Sequence, residues 1–355
     1  MNIILNSNNQ NALGQAGDFE TFTALTSSRA LSRRAGRART RHLTRLRSRV
    51  IAAIICFQKD YLMLNSSFLH IPSIGVITEK EIWNSGIRTM DDFLESSPDF
   101  ISSNKRKNII ERIHLSKEKI SSKDARYFYD NLPSKEHWRI FREYRNVTAY
   151  LDIETTGLGA PGDIITTIAL YDGKNINYYI NGKNLDDFKK DIQKYKVIVT
   201  YNGKTFDIPF IENYFGINIS QPHLDLRYIL HSLGYSGGLK SCERQLGIGR
   251  TGSLADVDGF FAILLWNDYR KSENEKSLKT LLSYNIEDVL NLEYLMIIAY
   301  NQKLKDIPLA FDDISIPTPQ QNPFKVDSST VNRIKNEYYS NENSFVEDIE
   351  WRLWS

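Results

Sequence analysis

The chain has 355 residues, 41% hydrophobic and 25% charged, which is long enough to bury a core and suggests about two domains. Its net charge of +2 hides an asymmetry: residues 1–62 hold nine Arg, one Lys and three acids (Asp18, Glu20, Asp60), which is +7 and leaves −5 on the other 293 residues. An acidic body excludes a uniformly basic nucleic-acid surface, two cysteines (Cys56 and Cys242) exclude a disulfide framework or a cysteine zinc site, and the longest apolar run near the N-terminus, Val50–Phe57, is too short to span a membrane. No cleavable signal is read, so the expected compartment is the cytoplasm.

Residues 1–62 differ in composition from the remainder of the chain. All nine of their Arg lie between Arg29 and Arg49, whereas residues 63–355 carry 22 Lys against 13 Arg. Three readings compete for this leader: an organellar transit peptide, a disordered basic arm for nucleic acid, or sequence upstream of a true start at Met63. The abrupt change of composition favours the third.

Residues 63–145 are expected to form a helical module with a charged connector. Thr78 and Glu81 make a T-x-x-E capping box ahead of a helix through Ile82 and Trp83. Gly86 ends that helix, and Thr89 caps a second one carrying Met90, Phe93 and Leu94. The "IPSIG" turn before them resembles a helix-hairpin-helix turn, with Ser73 where glycine is commoner; a plain packing turn is the competing reading. The basic residues Lys105, Arg106, Lys107, Arg112, Arg139, Arg142 and Arg145 read either as a solvated helix face or as phosphate contacts.

Residues 146–304 read as the main domain. "VTAYLDIE" is a strand, "DIITTIALYDGKNINYYING" two strands around an Asp-Gly turn, "NLDDFKKDIQKY" an amphipathic helix and "KVIVTYN" a buried strand. "FDIPFIENYFGI", "GLKSCERQLGI" and "DGFFAILLWNDYRK" come next as helices, and "SLKTLLSYNIEDVLNLEYLMIIAYN" as a long one. The expected class is α/β, a mixed sheet with flanking helices, preceded by the small helical module. Residues 305–355 read as a linker with four prolines between Ile307 and Phe324, then a tail whose Trp351 and Trp354 dock on the body or on a partner.

Three short stretches carry chemistry. In "YLDIETTGLG", Asp152 and Glu154 sit two apart on a strand, so both acids point to one face, roughly 6–7 Å apart, while Leu151 and Ile153 point the other way. In "YNGKTFD", Asp207 lies where a strand passes into a helix at the C-terminal edge of the sheet, where α/β proteins place ligand sites. In "YNIEDV", Tyr284 and Asp288 share one face of the long helix. Each has a bland alternative: an exposed strand edge, an N-cap aspartate, a surface aspartate.

Together, "DIETTG", "NGKTFD" and "YNIED" resemble the three motifs of the DEDD exonuclease superfamily in its Tyr form, of ribonuclease-H-like fold, over about residues 147–300. "HLDLR", "GGLKSCERQLGI" and "YNIEDVLNLEYL" look most like its YprB-like branch. The resemblance implies a metal-dependent 3′→5′ exonuclease with Asp152, Glu154, Asp207 and Asp288 as metal ligands and Tyr284 orienting the attacking water. Carboxylates converging in one cleft repel one another, and two divalent cations, Mg²⁺ or Mn²⁺, remove that penalty. Substrate contacts are expected from Thr155, Thr156, Leu158, Asn202, Phe206, Lys240 and Arg244, with a single-stranded 3′ end of nucleic acid as partner and no membrane. His223 and His231 read as structural, and Asp225 as support behind the acids. The rival readings are a ribonuclease-H-like endonuclease on hybrid or branched substrates and a non-catalytic nucleic-acid binding module.

Overall fold

The computed structural model describes residues 62–248, 259–318 and 320–338, all within one compact unit, Asp60–Ser355. The Arg-rich leader with Cys56, and the tail with Trp351 and Trp354, lie outside the described residues. Among the described residues, no helix is long and apolar enough to cross a membrane.

The helical stretch opens with α1 (Met63–Ser66), α2 (Val76–Asn84) and α3 (Met90–Glu95). α2 does not start at the expected Thr78 box. Ser73 takes the left-handed conformation at φ +70°, which turns the chain early and makes Gly75 the N-cap, with Thr78 already inside the first turn. α3 begins as expected: Thr89 accepts from Asp92 N–H, and the Asp92 carboxylate accepts from Thr89 N–H. α4 (Ser103–Ser121) and α5 (Ala125–Asn131) come next, then a 3-10 segment, Ser134–Ile140, running into α6 (Phe141–Tyr144).

Three of the arginines read as solvated or phosphate-contacting have partners within the protein, and one of them is buried. Arg139 is buried. Its Nη1 donates to both Glu79 oxygens at 3.0 Å and its Nε to Glu136 at 2.8 Å, while its guanidinium carbon lies 5.8 and 5.7 Å from the ring centroids of Trp83 and Trp138. Arg145 bonds Glu293 at 2.8 Å, and Arg142 bonds the carbonyl of Asp312.

Five strands form one mixed sheet in the order β3-β2-β1-β4-β5. β1 (Thr148–Thr155) is central, antiparallel to β2 (Ile165–Tyr171) and parallel to β4 (Val197–Thr200). β3 (Ile176–Ile180) pairs with β2 across residues 172–175, whose turn is tied by Asp172 accepting from the Lys174 and Asn175 amides. β5 (His223–Asp225) closes the other edge. β2 and β4 are buried along their whole length because both faces of the sheet are covered, which is why they read as near-continuous apolar runs.

The amphipathic helix expected at 184–195 is broken into single turns around α7 (Phe188–Asp191). Asn184 pins its start to β3, accepting from Ile180 N–H and donating to the carbonyl of Tyr178. α8 (Asp207–Phe215), α9 (Leu226–His231), α10 (Leu239–Gln245), α11 (Gly259–Ser272) and the 30-residue α12 (Glu275–Leu304) complete the domain. α12 is buried along most of its length, and its C-terminal half shares one core with the helical stretch, where Tyr300 packs on Trp138 and Phe141.

The stretch after Leu304, read as a linker, lies against the body. Asn322 donates to the carbonyl of Ser283, Asp327 N–H donates to Thr280 Oγ1, and the Phe324 ring packs edge-on to Tyr178. A helix at 328–338, α13, adds Val331 and Ile334 to the core of α11, while Arg333 pairs with Asp268 at 2.7 Å.

Glu143, on α6, makes this scaffold pH-sensitive. Its Oε1 accepts from Leu64 N–H at 2.7 Å, but Oε2 is buried without a hydrogen-bond partner, and burial pushes the carboxyl from 4.5 up to about 7. A raised carboxyl favours the protonated fold. Its stabilising contribution is complete below about pH 4.5, is lost as pH rises towards about 7, and stays lost above. Glu143→Gln keeps the oxygen that Leu64 needs. It is expected to stabilise the protein by about 1–3 kcal/mol at pH 8 and by almost nothing at pH 4. Thermal melts of both proteins across that range check it; an equal gain at both ends would contradict the assignment.

Candidate active site

β1 distributes its side chains strictly by alternation. Ala149, Leu151 and Ile153 enter the core formed with Phe188, Ile192 and Ile211. Tyr150 enters the opposite core, with Ile286 and Val289 of α12. Asp152 and Glu154 continue the row of Tyr150 and therefore face α12. A register shift between Glu154 and Thr155 ends the regular pairing with β2 at this point.

α12 presents Asp288 to the same place. One carboxylate oxygen each of Asp152, Glu154 and Asp288 lies within 4.8 Å of the others, a set that can hold a metal ion. Asp207 joins them from the start of α8, close enough for its charge to act on Asp152 and Glu154. It is not an N-cap aspartate: Phe206 occupies the cap, and the backbone amides of Asp207 itself and of Ile153 favour its charged form.

Burial, followed by repulsion from Asp288 and Asp207, drives the carboxyls of Asp152 and Glu154 well above the carboxylate range. Burial likewise pushes Asp207 up to about 7. Two groups oppose this. Asn285 Nδ2 donates to Asp152 Oδ2 at 2.7 Å, and the charge of Lys240 favours ionised Glu154. The donors are all hard carboxylate oxygens on buried or half-buried side chains, so the set fits Mg²⁺ or Mn²⁺ better than zinc.

Tyr284 sits one turn before Asp288, almost fully buried, with Lys240 Nζ over its ring at 4.6 Å from the centroid. Lys240 thus lies over the Tyr284 ring while its charge acts on Glu154. Arg244, one turn further along α10, is exposed.

The loop after β1 differs from a bare ligand shelf. Thr155 Oγ1 donates to the carbonyl of Gly157 at 2.6 Å, and Thr156 Oγ1 accepts from Ile164 N–H at 2.9 Å, so both hydroxyls fasten their own loop. The space above Gly157 is filled by Asp163: a Cβ there would lie 2.4 Å from its carboxylate. Gly157 is needed for that side chain, which in turn accepts from the amides of Gly159 and Ala160. Leu158 projects from the loop, 92% exposed, and with Phe206 and Phe210 lines a groove of about 210 Å³.

One residue was not expected from the sequence, and another does more than was expected of it. Asn285 is fully buried, bonding Asp152 on one side and accepting from Thr167 Oγ1 at 3.0 Å on the other. Its place three residues before Asp288 on one helix face was the available signal. Asp225, read only as support, is a hub: its carboxylate accepts from the amides of Asn202, Lys204 and Arg227 at 2.8–3.0 Å. It holds Asn202 in the left-handed region at φ +67°. His223 is structural, its Nε2 2.8 Å from Thr200 Oγ1 in the core, whereas His231 is exposed.

Asn285→Ala would leave Asp152 Oδ2 and Thr167 Oγ1 without their partner. The expected result is a 10- to 100-fold weaker metal response, measured as the Mg²⁺ or Mn²⁺ concentration for half-maximal turnover, together with a loss of about 1–2 kcal/mol in stability. A metal response unchanged from the parent would remove Asn285 from the site.

Residues 149–300 match the family model of the RNase_H superfamily, which covers less than half of the chain. No curated protein sequence matches the chain. Among solved structures, a family B DNA polymerase from the archaeon Pyrobaculum calidifontis is similar at 16% identity over 44% of this chain and 24% of its own, with a TM-score of 0.34. Brucella melitensis NrnC bound to pGG is similar at 19% identity over 47% of this chain and 77% of its own, with a TM-score of 0.33. The same protein with bound Mg²⁺ gives 20% identity over 47% and 77%, with a TM-score of 0.31.

Proposed function

We propose that the α/β domain of this chain, ribonuclease-H-like in its mixed sheet and its match at residues 149–300, is a metal-dependent 3′→5′ exonuclease of the DEDDy type and YprB-like branch. The observation that carries this reading is the convergence of Asp152, Glu154 and Asp288, with Asp207 beside them, on one buried spot where their charges repel. A fold does not tolerate such a cluster for stability alone, because each buried carboxylate carries a desolvation cost that repulsion from its neighbours enlarges. Two divalent cations, Mg²⁺ or Mn²⁺, would be held by these four carboxylates and would supply activation of a water and stabilisation of the leaving oxygen in an in-line phosphoryl displacement.

The chain's own residues do the rest. Asp152 and Glu154 are set by the β1 pleat, Asp288 by α12, and Asp207 by the β4–α8 junction. Asn285 fixes the rotamer of Asp152. Tyr284 offers a phenolic hydroxyl to orient the attacking water or the scissile phosphate, and Lys240 places a positive charge beside both Tyr284 and Glu154. Leu158 and Phe206 flank the terminal nucleotide from the groove they share, Asn202 and Arg244 lie on the strand's path, and Thr155 and Thr156 keep the loop in shape.

The test is turnover of 3′-labelled single-stranded DNA, single-stranded RNA and duplexes with Mg²⁺ and Mn²⁺, beside an internally labelled strand blocked at both ends. An exonuclease trims the free 3′ ends and leaves the blocked strand whole. Cleavage of the blocked strand assigns an endonuclease instead, and tight binding without turnover assigns a binding module.

A further inference from the structure

A second groove, of about 510 Å³, lies between the ends of β4 and β5 and the start of α10, lined by Tyr201, Asn202, Arg227, His231, Tyr235 and Leu239 among others. Its place relative to the acids comes from strand register. Tyr150 of β1 pairs with Val199 of β4, and Thr200 with Asp225 of β5. Tyr201 and Arg227 therefore leave the sheet on the same edge as Asp152 and Glu154, about 5 and 10 Å across it by the spacing of neighbouring strands. The groove also joins the acid cluster along the chain, since Leu239 lines it and the next residue, Lys240, lies over the ring of Tyr284, one turn before Asp288.

Its chemistry differs from that of its surroundings. Among the described residues no carboxylate lines it, although residues 63–355 carry a net −5. The acid behind it, Asp225, is buried and turned inward onto three backbone amides. Arg227 is exposed at its rim and bonds Asn202 Oδ1, which also accepts from Thr205 Oγ1 at 2.9 Å. The strained loop is thereby held with the arginine in place. The rings of Tyr201 and Tyr235 add flat surface, and the Tyr201 hydroxyl is anchored on the carbonyl of Gly237. A carboxylate-free groove combining a fixed cation with aromatic rings suits a single-stranded sugar-phosphate backbone with bases free to stack.

We propose that this groove binds the single strand leading up to the 3′ end, with Arg227 on its backbone, so that the preferred substrate is a strand long enough to reach Arg227 rather than a dinucleotide. The proposal rests on the exonuclease reading for its direction but can fail separately. Fluorescence anisotropy with a labelled 12-nucleotide single strand in Ca²⁺ compares full-length Asp152→Asn with Asp152→Asn/Arg227→Ala, so no turnover is involved. The double variant is expected to bind about tenfold more weakly, with the slope of log affinity against log salt reduced by about one. In turnover, Arg227→Ala is expected to lower the ratio of kcat/KM on the 12-mer to that on a dinucleotide by a similar factor, with unchanged melting temperature. Equal affinity and salt slope in the two binding variants would overturn the groove, as would no binding by Asp152→Asn at low salt. Binding that depends on Arg227 while the unmodified chain degrades no strand would uphold the groove and sink the exonuclease reading.

Discussion

Asp152→Asn and Asp288→Asn are each expected to lower Mg²⁺- or Mn²⁺-dependent trimming of 3′ ends by at least about 10³-fold, about 4 kcal/mol of barrier. Each removes a charged donor from a set whose oxygens lie within 4.8 Å of one another, and an amide is a poor substitute in a site built for hard cations. The same substitutions have an opposite expected effect on the metal-free fold. They relieve repulsion among buried acids, so the melting temperature without metal should hold or rise. Asn at 152 can still accept from Asn285 through its Oδ1, which keeps the scaffold intact. Lost turnover with unchanged or raised stability separates a catalytic role from a structural one. Undiminished trimming by both variants would end the exonuclease assignment.

Glu79 and Arg139 carry the largest expected effect on stability. Glu79 is fully buried and accepts from Arg139, from Ser67 Oγ and from the amides of Phe68 and Leu69. Removing one partner of a buried pair strands the other charge, so Arg139→Met is expected to cost about 3–5 kcal/mol at pH 8. The loss should shrink at pH 5, because burial already pushes the Glu79 carboxyl up and, without the guanidinium, it can take a proton. Glu79→Gln/Arg139→Met should cost less than Arg139→Met alone. Denaturant melts of the parent, Glu79→Gln, Arg139→Met and the double variant at both pH values measure this, and additive losses would contradict a coupled pair. The consequence reaches the acid site only indirectly, through the core that the helical stretch shares with α12.

The chemistry-bearing elements were legible because each depends on local period. Alternation on β1 put Asp152 and Glu154 on one face opposite Leu151 and Ile153, and a turn of helix put Tyr284 beside Asp288. The continuous apolar run of β4 marked a strand with both faces covered. Element boundaries that depend on one unusual backbone angle were not legible. The start of α2 moved because Ser73 adopts a positive φ that nothing in its side chain announces. The arginines of the connector misled for a related reason: composition records the charge, while Glu79 and Glu293, 60 and 148 residues away in the chain, decide where it goes.

By itself, then, the amino-acid order determined which residues could share a face, and so nominated four carboxylates and a tyrosine. Only the tertiary structure decided that the face of β1 bearing Asp152 and Glu154 meets the face of α12 bearing Asp288, with Asn285 and Lys240 as the groups that counter their repulsion. Periodicity is a property of neighbouring residues and survives in the sequence. The meeting of two faces more than 130 residues apart depends on how β1 and α12 bury their apolar sides, and that is settled only when the chain packs.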